Sequence, residues 1–548
     1  MPVPVDLPVG YYRDNFLALL DFVREQYADI LTAEETAYAD RFIDLTLDAQ
    51  RLYVRLVSRR GPLFRSDKLH YAEILDLPSA ARELLAGNFV DHGKDEDDSV
   101  ILALLTKADL VALIGDKTTA IGTLPRSDLL DRVNTAAVDI RPQLHFEIYR
   151  PLMMEYLRLY RLLFFGNLSQ DLTQFVLTDL GLLNYEKYVI SADARLFKLR
   201  EVVDKTLLLH ELNESSHAAV EQNDREALLE IVALLPDSEQ ETTLIRRKNR
   251  ILNRIGRQLE RQQDYPNALL VYAQSSAPPA RERSARILRK LALLPQSYAL
   301  CQSIQGDPAD EAELEFATRF MPGLQKKIGL EVSEGLSPVL LDDNNSLLVS
   351  LPHDEAVRVE ESVRTYYDNH ASRCYYVENH LFLGLFGLAF WDIIFMSVKG
   401  AFFNRYQSSP TDLYTPAFQF ARQTAITDRL AEMKNSDRWL DVLHETYAEK
   451  LGVANRFVHW QVLSEEILQL SLQRIPASHL AHVFERLLWD LRNNRSGFPD
   501  LVLFPDCGSY QLLEVKGPGD RLQDNQKRWI RAFERFGIPY RVVNVAWS

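Results

Sequence analysis

The sequence is poor in cysteine and lacks the segments that direct a chain to a membrane. Only three of its 548 residues are cysteines, and none of them lies in a CxxC or Cys/His spacing. This excludes a disulfide scaffold and a Cys/His zinc site, and we expect a reduced, cytoplasmic setting. The N-terminus has neither a basic stretch nor a long apolar core, so no signal peptide is predicted.

Long apolar runs are also missing. The most apolar one, residues 381–391, has about 11 residues, whereas a membrane-spanning helix needs about 20. We therefore predict a buried core helix there and no membrane partner.

Net positive charge is absent, since 62 Lys and Arg oppose 77 Asp and Glu for a formal charge of −15. Charge averages over domains, however, and binding to a polyanion depends on local clusters. Residues 51–70 hold six Lys or Arg against one Asp, and residues 246–261 hold seven against one Glu. We expect both clusters to contact DNA phosphates, although a solvated surface helix remains the alternative. The candidate contacts are Arg51, Arg55, Arg59, Arg246, Arg250 and Arg254.

Apolar residues recur at three- and four-residue spacing over much of the chain, which predicts a mainly helical, multidomain protein. Residues 99–136 read as two short helices joined by a turn, with Gly122 before the second helix, and resemble a SAP-type DNA-binding module; an ordinary helical hairpin is the alternative. Residues 254–275 resemble one tetratricopeptide unit, with Gly256, Tyr265 and Tyr272 in its pattern.

We predict four domains in this chain. They are an N-terminal helical DNA-binding domain (1–90), a SAP-like module with linker helices (91–165), a tetratricopeptide-like repeat domain (166–335) and a C-terminal α/β domain (336–548).

The C-terminal region carries a candidate hairpin. Two apolar runs, 501–504 and 511–515, are separated by a loop rich in turn-forming residues. If Phe504 pairs with Tyr510, Asp500 lies opposite Glu514, and side chains of directly paired residues are about 5 Å apart on one face. Lys516 shares that face because it is two residues beyond Glu514.

Two carboxylates held so close repel each other, and a divalent cation would relieve the repulsion. Mg²⁺ prefers such oxygen ligands, and the backbone carbonyl of Val515 would supply another oxygen. Lys516 would then orient, or help to deprotonate, an attacking water. The alternative is a surface hairpin whose charged side chains are solvated.

The order Asp500, then Glu514-x-Lys516, is the signature of the PD-(D/E)xK nuclease superfamily. The longer string EVKGPGDRLQDNQKRW resembles the VRR-NUC branch, with Gln526 and Trp529 on the helix after the hairpin. Upstream, YYVENHLFLGLFGLAFWDIIF resembles a region of the Fanconi anaemia-associated nuclease family that supplies one more metal ligand. The matching residue is Glu378; alone, it would read as a surface carboxylate or a helix cap.

The resemblance spans nearly the whole chain, and the absence of a ubiquitin-binding Cys cluster fits the family's bacterial members. It implies a restriction-endonuclease-like fold and a Mg²⁺- or Mn²⁺-dependent structure-specific DNA endonuclease with 5′-to-3′ exonuclease activity. The implied substrates are 5′-flapped and branched DNA, and the implied role is interstrand crosslink repair. The implied location is the bacterial nucleoid. The resemblance implies no particular protein partner.

The family also has a basic pocket for the 5′-phosphate. Arg492 matches one arginine of that pocket. At the position where the family has a lysine, this sequence has Asn525. We expect Arg492, Arg495 and Gln526 to contact the 5′-phosphate or the DNA.

Two other functions are compatible with the sequence. One is a non-catalytic helical-repeat scaffold that binds DNA or peptides, which the intact Asp/Glu/Lys set disfavours. The other is a Holliday-junction resolvase, as the small stand-alone members of the VRR-NUC branch resemble. The long helical N-terminal region favours flap binding over that activity.

Overall fold

The computed structural model describes residues 8–548, except 60, 94–95, 115–123, 136–139, 141, 143, 173–183, 189, 191–194, 238–240 and 333–344. Gly122 and the predicted boundary between the repeat and nuclease domains lie outside the described residues. The chain forms two compact units, residues 1–183 with 195–198, and residues 184–194 with 199–548. The division into four domains stays a prediction.

The first unit is helical with one small three-stranded sheet, in the order β1-β3-β2. Several helices begin at side-chain caps, for example the capping box in which Thr32 and Glu35 exchange hydrogen bonds. Its elements are α1 Tyr11–Tyr27, α2 Ala33–Ile43, α3 Leu47–Val57, β1 Phe64–Arg65, α4 Leu77–Ala86, β2 Val90–Asp91, α5 Asp98–Leu104, α6 Lys107–Ile114, α7 Arg126–Thr135, β3 Ile148–Pro151 and α8 Met154–Phe165.

Helices α5–α7 occupy the predicted SAP-like segment. Their leucines, among them Leu105, Leu110 and Leu129, are buried in one apolar cluster. The Arg126 guanidinium donates to the backbone carbonyls of Leu102 and Leu105, so it stabilises the carboxyl end of α5. Arg126 is therefore engaged inside the module.

The second unit starts with a short strand and a run of helices that pack pairwise along the chain. A Cβ at position 256 would lie 2.7 Å from the Tyr272 ring, so Gly256 allows α11 and α12 to approach closely. The elements are β4 Asn184–Tyr185, α9 Arg200–Glu221, α10 Arg225–Leu234, α11 Thr242–Arg261, α12 Tyr265–Ala273, α13 Ala280–Lys290, α14 Leu294–Gly306 and α15 Glu311–Ile328.

The rest of this unit is an α/β domain. Its elements are β5 Ser346–Leu351, α16 Val359–Tyr367, β6 Ser372–Tyr376, α17 His380–Ala389, α18 Trp391–Ile394, α19 Pro416–Asn435, α20 Arg438–Lys450, β7 Val453–Ala454, α21 Glu465–Arg474, α22 Ala477–Trp489, β8 Leu501–Pro505, β9 Gln511–Lys516, α23 Asp524–Phe536 and β10 Tyr540–Trp547.

A five-stranded mixed sheet, in the order β5-β10-β9-β8-β6, organises this domain. Strand β10 runs parallel to β5 and β9, whereas β8 is antiparallel to β9 and β6. Alternate residues face opposite sides, so Leu512 joins a large cluster with α17, α22 and α23, while Leu513 and Val515 join a smaller one with α16.

Helix α17 covers the large cluster, and its residues 381–382 and 384–389 are all buried. The apolar run is therefore a core helix, as predicted. No helix among the described residues is long and apolar enough to cross a membrane.

A buried carboxylate joins the repeat helices to the nuclease domain. Glu315 of α15, 4% exposed, accepts hydrogen bonds from Arg528 (3.2 Å) and Arg531 of α23. Arg319 of α15 adds an ion pair with Asp524 at 3.1 Å. Helix α23 is thus held from two sides, by the sheet and by α15.

Candidate active site

The candidate site is built on the β8–β9 hairpin. Leu501 pairs with Leu513 and Val502 with Leu512, a register that sets Asp500 opposite Glu514 as predicted. The Asp500 carboxylate accepts a hydrogen bond from the Val515 backbone N–H at 2.9 Å, which fixes it across the two strands.

The predicted convergence of Glu514 and Lys516 is also present. Lys516 Nζ lies 2.8 Å from Glu514 Oε1, and the Glu514 side chain is only 2% exposed. The amine therefore sits on the same face of the sheet as the two carboxylates.

Glu378 lies in the turn between β6 and α17, at the same end of the sheet. The backbone N–H groups of Val377 and Glu378 both donate to the Asp500 carbonyl at 2.8 Å. Glu378 adopts a φ of 30°, which is unusual for a residue with a Cβ. Its carboxylate accepts a 2.6 Å hydrogen bond from the Tyr376 hydroxyl. The turn thus holds a third carboxylate beside the hairpin.

Helix α23 contributes Gln526. Its side-chain oxygen accepts from the Gln523 backbone N–H at 2.8 Å, and its Nε2 donates to Glu514 Oε1 at 2.6 Å. Three residues on, Trp529 is 2% exposed and packs 4.0 Å from the Phe498 ring centroid. The helix therefore presents Gln526 to the carboxylate and Trp529 to the core. The DNA contact expected of Gln526 stays a prediction.

Burial and mutual repulsion shape the protonation of the two paired carboxyl groups. Burial, followed by the nearby charges of Glu360 and Glu378, raises the pKa of Asp500 to about 6. Burial and the charge of Asp500 raise the pKa of Glu514 to about 8, although Lys516 acts in the opposite direction. The positive charge near the two carboxyl groups is too small to offset the effects of burial and of the neighbouring acids on their pKa values.

This donor set fits a hard divalent cation. Buried carboxylate oxygens at close range are the ligands that Mg²⁺ and Mn²⁺ prefer, and one ammonium group faces several acids here. Within the described part of the chain, no group of three or more His, Cys, Asp or Glu side chains is already arranged so that it could hold a metal ion. Lys516 and Gln526 instead hold the Glu514 carboxylate in place.

Sequence reasoning missed two residues of this site. Glu360, in the first turn of α16, is an electrostatic neighbour of Asp500. The Asn379 side-chain oxygen accepts hydrogen bonds from the Gly497 and Phe498 N–H groups at 2.9 and 3.2 Å. These bonds link the segment just before Asp500 to the turn that contains Glu378. Neither residue belongs to the hairpin pattern, so only the tertiary structure identifies them.

Two of the predicted DNA-binding arginines meet at a cavity of about 750 Å³, with Arg246 of α11 and Arg492 after α22 in its wall. Burial and the nearby Arg492 lower the pKa of the Arg246 guanidinium. No carboxylate in the described residues pairs with either guanidinium. The structure thus brings together two positive charges that lie far apart in sequence.

The other predicted arginines of this unit differ in their surroundings. Arg250 is exposed. Arg254 is half-buried and donates to the Ser216 hydroxyl at 2.6 Å and to Asn213. Arg495 lies over the Tyr414 ring at 5.0 Å and is exposed. Arg250 and Arg495 are thus accessible, whereas Arg254 stabilises the α9–α11 contact.

In the first unit, the three aligned arginines are engaged internally. Arg51 donates to the Glu73 carbonyl at 2.7 Å, and Arg55 forms a 2.5 Å ion pair with the Glu73 carboxylate. Arg59 donates to the Tyr71 hydroxyl at 3.0 Å and is exposed. The helical face exists as predicted, but Arg51 and Arg55 also stabilise the fold, and the DNA contacts stay a prediction.

The candidate site thus combines two paired carboxylates, a lysine two residues on and a glutamine from the following helix. The VRR-NUC domain family matches residues 434–547, and a family described as "FAN1, HTH domain" matches residues 10–91. The fold and the site therefore define a DNA nuclease of the VRR-NUC class.

The chain is 35% identical over 559 aligned residues to the Fanconi-associated nuclease 1 homologue of Pseudomonas aeruginosa, covering 100% of this chain and 98% of that protein. It belongs to the Fanconi-associated nuclease family, whose members are structure-specific DNA nucleases with a divalent-metal requirement and a known role in interstrand crosslink repair. The resemblance and the fold class inferred from the sequence are thereby confirmed.

A more distant relative and two solved structures are also similar to this chain. The Arabidopsis thaliana homologue is 25% identical over 616 residues, covering 97% of this chain and 67% of that protein. The crystal structure of paFAN1 bound to 2nt 5′flap DNA with gap has a TM-score of 0.91 at 35% identity, with 100% of both chains covered. A second structure, of paFAN1 bound to 1nt 5′flap DNA with gap, has a TM-score of 0.88 and covers 98% of this chain and 99% of that one.

Proposed function

We propose that this protein is a Mg²⁺- or Mn²⁺-dependent endonuclease of 5′-flapped and branched DNA, with 5′-to-3′ exonuclease activity, that acts in interstrand crosslink repair. The observation that carries the proposal is the β8–β9 register, which sets Asp500 opposite Glu514 with Lys516 on the same face. The similar paFAN1 structures are bound to 5′-flap DNA, which supports the substrate class. The activity would lie with the chromosomal DNA of the nucleoid, in the cytoplasm.

We assign the cation to Asp500, Glu514, Glu378 and the Val515 carbonyl. When bound, a divalent cation supplies Lewis-acid stabilisation of the charge that develops on the phosphate and the leaving oxygen. The Lys516 ammonium would orient the attacking water, since its Nζ already lies at the carboxylate edge, 2.8 Å from Glu514. We expect manganese to replace magnesium, because both accept oxygen ligands.

The Arg246–Arg492 cavity is the proposed seat for the 5′-phosphate. A phosphate would relieve the repulsion between the two guanidinium groups and accept hydrogen bonds from both. Accessible Arg250 and Arg495 would extend this positive surface along the DNA backbone, with Arg254, Arg51, Arg55 and Arg59 as further contacts. Phosphate contacts of this kind recognise the shape of DNA rather than its sequence.

The direct test is cleavage of labelled 5′-flap DNA and of a four-way junction, each with Mg²⁺ and with Mn²⁺. We expect preferential flap cleavage, no cleavage by Asp500→Ala, and retained DNA binding by that variant. Preferential junction cleavage would favour a resolvase, and no cleavage of any DNA by the wild type would favour the scaffold function.

Two further readouts test the DNA surface. Arg492→Ala should weaken cleavage of 5′-phosphorylated flaps more than of 5′-hydroxyl flaps, and an equal effect on both would contradict the phosphate seat. Binding should weaken steeply with rising salt, because phosphate contacts release counterions; a flat salt response would contradict the basic surface.

A further inference from the structure

An exposed tryptophan stands beside the Arg246–Arg492 cavity. Trp489 is the last residue of α22, and 61% of it is exposed. A single exposed aromatic side chain is common on protein surfaces, so the position of Trp489 at a cavity, rather than its exposure alone, makes it a candidate contact. Trp489 lines the cavity of about 750 Å³ and also a second cavity of about 310 Å³, which Arg486 and Arg531 help to line.

The loop that follows Trp489 is rigidly built. The Asp490 carboxylate accepts from the Arg492 and Asn493 backbone N–H groups at 3.2 and 3.1 Å. One turn before Trp489, Arg486 forms a 2.6 Å ion pair with Glu311. Trp489 and Arg492 therefore lie three residues apart, at the start and in the middle of one hydrogen-bonded turn.

The charge around the tryptophan suits a nucleotide. Within the described ranges, Arg246 and Arg492 have no carboxylate partner. A bound anion would therefore supply the negative charge that these two guanidinium groups lack. Two carboxylates of the same wall are ion-paired, Glu282 with Arg286 and Glu313 with Arg281, whereas Asp310 and Asp490 accept hydrogen bonds from the neutral Asn493 amide. The Arg246 and Arg492 guanidinium groups form no ion pair with any described residue.

We propose that Trp489 is a stacking platform for the unpaired nucleobase at the 5′ end of the flap strand, whose phosphate is held by Arg246 and Arg492. This rests on the proposed function and adds a base subsite to it. An exposed indole face offers stacking to any base, because every base has a π-face, so the subsite recognises a base without selecting its identity. A cavity of about 750 Å³ lies within the range of about 300–1,000 Å³ that small-molecule sites occupy.

Fluorescence tests the stacking directly. The probe is a 5′-phosphorylated flap with 2-aminopurine as its terminal base, bound to the full chain in EDTA so that no cleavage occurs. We expect the wild type to quench the probe, Trp489→Leu to abolish the quenching, and Trp489→Phe to retain part of it. Equal quenching by the wild type and Trp489→Leu overturns the proposal.

A second experiment compares the binding of DNA with and without the terminal base. Replacing the terminal nucleotide by an abasic one should weaken wild-type binding about fivefold to tenfold and should leave Trp489→Leu binding unchanged. The matched control is Phe420→Ala, which removes an aromatic that is 84% exposed on α19 and lines neither cavity; it should respond to base deletion as the wild type does. Equal base discrimination by the wild type and Trp489→Leu overturns the proposal.

Different results would overturn the base subsite and the phosphate seat. If Arg492→Ala abolishes the preference for a 5′-phosphate while Trp489→Leu still discriminates base from abasic DNA, only the stacking subsite is wrong. If the wild type shows no preference for a 5′-phosphate and no base discrimination, the phosphate seat on which the subsite rests is wrong as well.

Discussion

Gly497 is the position where the addition of a single methyl group should lower both stability and catalysis. It has a φ of +93°, and a Cβ there would lie 2.8 Å from the Asn525 backbone carbon in the first turn of α23. Because that atom belongs to the backbone, the helix start has to shift when Gly497→Ala is introduced. The next residue, Gln526, carries the 2.6 Å hydrogen bond to the Glu514 carboxylate.

The magnitude follows from two contributions. A side chain in the left-handed region costs about 1–2 kcal/mol, and overpacking of a buried site costs about 1–3 kcal/mol. Gly497→Ala should therefore lower the free energy of unfolding by about 2–5 kcal/mol. A displaced Gln526 should also reduce flap cleavage about tenfold or more, because small misplacements near reacting groups have large effects on rate.

The matched control is Gly452→Ala. Gly452 has a φ of +82°, and a Cβ there meets no atom within 4 Å, so it carries the same backbone strain without the steric contact. We expect a smaller loss of stability and unchanged cleavage. Thermal denaturation and initial cleavage rates of both variants decide the matter. Equal stability and full activity in both would refute the reasoning about the Gly497–Asn525 approach.

Two further predictions concern Glu514. The folded protein raises the pKa of Glu514 to about 8, above the ordinary value of 4.5, so its stabilising contribution is complete below pH 4.5 and is lost as pH rises through about 8. In EDTA, Glu514→Gln should therefore be more stable than the wild type at pH 9, with a gap that narrows towards pH 5 in thermal denaturation; a gap independent of pH would contradict this. Gln526→Ala should lower kcat about tenfold while KM stays within about twofold, since it removes a charge-assisted hydrogen bond to Glu514 worth about 1.5–3 kcal/mol; a change in KM alone would instead assign Gln526 to DNA binding.

The hairpin was predictable because strand geometry is local. Two apolar runs and a turn define the pairing, and the alternation of side chains then sets Asp500 opposite Glu514, as the structure has it. The buried helix at residues 381–391 was predictable for the same kind of reason, since uniform apolarity over that length requires burial.

The remainder depends on contacts between distant residues. Nothing near Glu360 in the sequence indicates that α16 brings it close to Asp500. The sequence predicts that Arg55 lies on a charged helical face, but its ion pair with Glu73 depends on how the chain returns to α3. Gln526 was expected to contact DNA, and only the packing of α23 against the hairpin reveals its bond to Glu514.

We propose that Asp500, Glu514 and Glu378 hold the catalytic cation. Calorimetric titration of the full chain with Mn²⁺ tests it most directly, with the wild type compared with Asp500→Ala and with the distant control Asp506→Ala in the hairpin loop. The wild type and Asp506→Ala should bind the ion with equal affinity, whereas Asp500→Ala should lose binding. Undiminished Mn²⁺ binding by Asp500→Ala would contradict the assignment.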